Sequence, residues 1–146
     1  IDAILGLCGK NGVPDVLLMN VSVCILTIFF ICMGSLTGLY GKFNFSRTFF
    51  LLHVVTPIAF ITLHLFLCNK SERTLLTIFT APIMMLCYLL FDYIQCRFTG
   101  KFVYGLVEPE MMTIPYAAIA GIIVYILMCL LAVGLTGLRR LIHKKA

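Results

Sequence analysis

Four apolar stretches, each long enough to cross a hydrocarbon layer as a helix, constrain this chain more than any other feature. A hydrocarbon core about 30 Å thick needs around 20 residues at a rise of roughly 1.5 Å per residue. The runs at about 16–40, 46–68, 74–98 and 113–143 all reach that length. Backbone N–H and C=O groups find no water in such a solvent, so each run is expected to close its hydrogen bonds internally, as a helix. Composition agrees: 62% of the residues are apolar, 12% are charged and the mean hydropathy is +1.09. A soluble domain carries roughly 45–50% apolar and about 25% charged residues. The expected fold is all-α: a polytopic membrane protein with four transmembrane helices in an up-down arrangement. Residues 1–15, interrupted by Gly6, Gly9, Gly12 and Pro14, are too broken to span and read as a loop or short surface helix. Residues 16–146 then form one four-helix transmembrane domain.

The first-to-second and second-to-third connections are short, so those helices are expected to be antiparallel and adjacent. The connection at 99–112 is longer and carries Gly100, Gly105 and Pro109, as functional loops often do. Basic residues set the orientation, because Lys and Arg stay on the cytoplasmic side. Lys10, Lys70, Arg73, Arg139, Arg140, Lys144 and Lys145 fall on one side, against Lys42, Arg47, Arg97 and Lys101 on the other. Both ends are therefore expected in the cytoplasm, with the LRRLIHKK cluster as a headgroup anchor rather than a nucleic-acid contact. Which membrane holds the chain does not follow from the residues, and the Asn44-Phe45-Ser46 sequon abuts the expected membrane surface.

Helices in lipid associate where small residues let backbones approach. Gly34 and Gly38 on the first helix, and Ala117 and Gly121 on the fourth, have GxxxG spacing, with Gly134 and Gly137 nearer the chain end. Internal packing is their expected use, ahead of a homo-oligomer contact. Among the seven cysteines, Cys24, Cys32, Cys87 and Cys129 lie inside apolar runs, and no CxxC pair occurs. They read as small buried hydrophobes, with no metal and no cofactor implied.

Ionisable groups inside a membrane are costly and usually functional. His53, His64 and Asp92 are the three here. The two histidines, eleven residues apart, lie about 20° apart around their helix and roughly 16 Å apart along it, so they share a face but not a site. Pro57 has no N–H to pair with the His53 carbonyl, and Pro82 likewise leaves the Ile78 carbonyl. Two kinks are expected, bowing the middle helices apart around a common cavity, with Thr56 as a compensating hydroxyl. His53 is the candidate base of such a cavity and Thr56 a weak candidate nucleophile. Pro57, Pro82, Asp92 and Tyr104 are its candidate lining or mouth. Arg97 follows Asp92 closely enough to neutralise it.

From Phe49 to Val107 the chain resembles the androgen-induced-gene and FAR-17a-like family of six-helix membrane proteins, small bacterial relatives included. The residues that carry the likeness are His53 with Pro57, Pro82 on the next helix, and Gly100 with Phe102, Val103 and Tyr104. Gly105 stands where that family usually has proline. The resemblance implies two further helices ahead of the first, making these the last four of six. It also implies intramembrane hydrolysis of fatty-acid esters by a threonine nucleophile and a histidine base; only His53 carries over, and neither Thr27 nor Thr37 is assigned as nucleophile.

Three functions follow as expectations. One is a lipid-ester hydrolase or acyl-transfer enzyme with His53 as base and membrane lipid as substrate. The second is a non-catalytic membrane subunit or small transport component that packs against partner chains or a second copy. A haem or quinone anchor is disfavoured, because both intramembrane histidines lie on one helix.

Overall fold

In the computed structural model, residues 15–34, 47–67, 74–103 and 108–143 are described. Of the loop or surface helix expected at 1–15, residues 1–14 lie outside them, as do Gly38, the Asn44 sequon and Tyr104, while Asp15 already begins a helix. The elements are α1 (Asp15–Gly34), α2 (Arg47–Phe50), a π turn (Leu51–Val55), α3 (Thr56–Leu67), α4 (Thr74–Thr80), α5 (Ile83–Thr99), a 3-10 turn (Pro109–Met111) and α6 (Ile114–His143). Every described element is helical. Among the described residues three helices are long and apolar enough to cross a membrane: Val16–Met33, Leu75–Thr99 and Ile114–His143. Leu51–Phe66 is a shorter apolar helix.

α2, the π turn and α3 follow one another without a break. Phe50 (φ −60°, ψ −45°) and Thr56 (φ −60°, ψ −47°) are helical at the two junctions. The wide turn is a response to Pro57, whose ring crowds the carbonyl four residues back and offers no N–H. An extra residue in the turn before the proline relieves that crowding. The Thr56 N–H then reaches Leu51 O, five residues back, and the Thr56 hydroxyl donates to the same oxygen at 2.8 Å. Thr56 thus compensates Leu51, where the sequence pointed to the His53 carbonyl.

Pro82 acts more severely, splitting the third apolar run into α4 and α5 with a turn at Ala81–Pro82. The carbonyls it disturbs are taken up by α6. Cys129 Sγ lies 3.7 Å from Ile78 O, and Tyr125 Oη donates to Phe79 O at 3.2 Å. Two side chains one turn apart on α6 thus clasp the break. Pro82, expected to line a cavity between the middle helices, stands at a break whose two disturbed carbonyls face side chains of α6. The expected adjacency of the second and third helices changes too: α3 and α4 each pack on α1 and α6, which form the central seam.

The core of that seam is Met19 and Val23 from α1, Leu65 from α3, Ala81, Met85 from α5, and Met128, Ala132 and Leu135 from α6. The large aliphatic and aromatic side chains face outward instead, among them Leu75, Phe91, Phe98, Ile114 and Leu130. Hydrocarbon is as apolar as leucine, so shape and polarity, and not hydrophobicity, decide which face of a membrane helix turns inward. The described glycines of α6 do not serve the seam. A Cβ added at Gly121, Gly134 or Gly137 would meet nothing within 4 Å, which corrects the expectation that they permit close internal approach.

Candidate functional site

The residues singled out from the sequence are not gathered into one site. His53 is half-buried in the π turn, with Leu51, Leu52 and Val55 exposed around it. Pro57, one turn on, is buried, and Thr56 is exposed with its hydroxyl committed to Leu51. Pro82 is buried against the α6 clasp. Asp92 is buried near the end of α5, and Oδ1 accepts the Val103 N–H at 2.9 Å. Among the described residues no ion pair joins it to Arg97, which is exposed. The expected carboxylate–guanidinium pair is replaced by a tie between α5 and its own following loop.

That tie helps to shape a cavity of about 250 Å³ at the junction of α5 and α6, walled in part by Tyr93, Arg97, Phe102 and Glu110. Gly100 ends α5 in the left-handed region (φ 72°), where its N–H reaches Cys96 O at 2.8 Å. The chain then doubles back, held by Thr99 Oγ1, which donates to Gln95 O at 3.0 Å. His53, Pro57 and Pro82 do not line this cavity.

A second polar feature, not foreseen as a group, lies at the other end of the bundle. Asn20, His64, Thr77, Thr136 and Arg139 are each at most 8% exposed. Counted from the helix ends at a rise of roughly 1.5 Å per residue, all five lie about 5–10 Å inside. Met19, Leu65 and Leu135, their neighbours in the chain, belong to one buried cluster. His143, placed in the basic tail by sequence, is the last residue of α6. Its Nε2–H reaches Leu65 O at 3.0 Å, satisfying a carbonyl that the end of α3 leaves open.

The hydroxyls of this layer behave unlike the rest. Ser22, Thr27, Thr62, Thr80 and Thr99 each donate to the carbonyl four residues back, the usual way for a hydroxyl to be satisfied on a helix in hydrocarbon. Thr77 and Thr136 do not. Their Oγ1 atoms, and Asn20 Oδ1, are buried without a hydrogen-bond partner. A buried polar atom of that kind costs about 1–3 kcal/mol unless something meets it, so three toward the same end of the bundle favour a place suited to water or a polar solute.

Among the described residues no group of three or more His, Cys, Asp or Glu could hold a metal ion. Sequence reasoning weighed His53 above His64, whereas burial reverses that order. The signal that would have found the layer is similar depth: a polar residue on each of α1, α3 and α4 and two on α6, all within about two turns of the same end. No family model, curated protein or solved structure matches the chain.

Proposed function

We propose that this chain is an integral membrane protein crossing the bilayer four times, and that it works without a covalent step, as a small transport component or membrane subunit. Its working part is the buried polar layer of Asn20, His64, Thr77, Thr136 and Arg139. The fourth crossing is the run α2–π turn–α3, whose pieces of four, five and twelve residues rise together by about 31 Å. The observation that carries this reading is that Asn20, Thr77 and Thr136, all within about 10 Å of the helix ends on one side of the bundle, bury polar atoms without a partner among the described residues. A subunit that only filled space would have back-bonded hydroxyls there. A layer that admits water or a polar solute keeps them available.

Cysteine accessibility tests this directly. In a background lacking the seven native cysteines, Thr77→Cys and Thr136→Cys react with a small water-soluble methanethiosulfonate in native membranes. Val23→Cys, in the apolar seam, stays protected. Protection of all three positions would show a dry interior and remove the proposal.

One observation favours a second reading, the lipid-ester hydrolase. His53 lies in a π turn, and such turns concentrate at functional sites, in keeping with the resemblance carried by His53 and Pro57. On that reading His53→Ala abolishes cleavage of a fluorogenic fatty-acid ester by the purified protein, with helicity unchanged. Equal turnover by both forms excludes His53 as the base.

A further inference from the structure

We infer that the cavity at the junction of α5 and α6 binds the headgroup of a zwitterionic phospholipid, with its phosphate at Arg97 and its ammonium at Glu110. The inference rests on the membrane reading above. Arg97 and Glu110 both line the cavity of about 250 Å³, yet among the described residues no ion pair or hydrogen bond is formed with either side chain. Opposite charges that share a cavity without meeting leave room for a molecule carrying both signs. An anionic headgroup would face the Glu110 carboxylate, and a lone cation would face the Arg97 guanidinium. Tyr93 adds an aromatic face of the kind that attracts an ammonium group.

The position selects a lipid. The apolar runs Leu75–Thr99 and Ile114–His143 end and begin on either side of this cavity, so it lies where hydrocarbon gives way to headgroups. Phe98 and Ile114, the flanking ends of these runs, are 86% and 75% exposed. Acyl chains leaving the cavity would run along such a surface. The walls are preformed: the Asp92–Val103 tie and the left-handed Gly100 hold Phe102 in place. Asp92 is a positioning residue, because it acts through the loop.

Native mass spectrometry of the full chain in detergent, offered equal amounts of phosphatidylethanolamine, phosphatidylcholine and phosphatidylglycerol, tests the inference. Wild type retains both zwitterionic lipids over phosphatidylglycerol, and an equal concentration of free phosphoethanolamine displaces neither. Glu110→Gln lowers retention of the zwitterionic lipids about fivefold and erases the preference, while Arg97→Gln lowers retention of all three. Circular dichroism identical to wild type certifies both variants as folded. Equal retention of phosphatidylglycerol by wild type, an unaltered preference in Glu110→Gln, or displacement by the free headgroup overturns the inference. Recovery of the chain from membranes without detergent would instead defeat the membrane reading on which it rests.

Discussion

Valine in place of both Thr77 and Thr136 raises the thermal midpoint of the detergent-solubilised protein and, in membranes, shuts water out of the buried layer. Valine matches threonine in shape and removes an oxygen that the structure leaves without a partner. In a low-polarity interior each such hydroxyl costs about 1 kcal/mol or more. Relief of both corresponds to roughly 5–10 °C in a chain of this size. The opposite direction of the two effects is the informative part: a group retained at the expense of stability is retained for what it does. In a background lacking the native cysteines, Asn20→Cys reports the layer, and its reaction with a water-soluble thiol reagent falls about tenfold when valine occupies 77 and 136. The chain has no tryptophan, so ellipticity at 222 nm is the direct measure of unfolding. A lower midpoint in the valine variant would mean that these hydroxyls hold the helices together, and the functional assignment of the layer would fail.

Met128→Ala lowers the midpoint more than any other single change considered for the seam. Met128 is fully buried on α6, with Met19 and Val23 of α1 in the same cluster and the Tyr125–Cys129 clasp on its own turn. Shortening it to alanine leaves a void among residues drawn from four segments, which cannot all collapse inward together. Comparable truncations in packed cores cost about 2–5 kcal/mol. The loss is expected to persist in lipid, because missing contacts, and not water exposure, cause most of it. Ala132→Leu, one turn further along, fails for the converse reason by about 1–3 kcal/mol, since the seam has no room for three more carbons. A midpoint within a degree of wild type for both variants would show that α1 and α6 do not form the central pair.

Helix positions were legible in the sequence because length and apolarity alone decide them in hydrocarbon. The fourth run, expected at 113–143, is found at Ile114–His143. The third was marked as interrupted at Pro82, and the break is there. Which helices touch was not legible, since a short connection fixes neighbours in the chain and not in the bundle. Apolar periodicity is silent on the inner face when both solvents of a helix, lipid and protein, are apolar. Thr56 illustrates a different limit. Its hydroxyl was expected near the His53 carbonyl, but the extra residue in the turn moved the ladder by one and gave it Leu51 instead. Asp92 was assigned to the nearest cation in sequence, whereas the left-handed Gly100 folded a loop amide onto it first. His64 reads from the sequence mainly as a core histidine, and it is buried beside Leu65; its company with Asn20, Thr77 and Thr136 is what one sequence does not display.

The clasp across the Ala81–Pro82 break has a consequence for biogenesis. The Ile78 and Phe79 carbonyls find their partners only on Cys129 and Tyr125, some fifty residues later in synthesis. Until that stretch emerges from the ribosome, the split rod carries bare acceptors that lipid cannot solvate. On the membrane reading proposed above, release of the split rod into lipid is expected to await the final rod, the two leaving together as a hairpin.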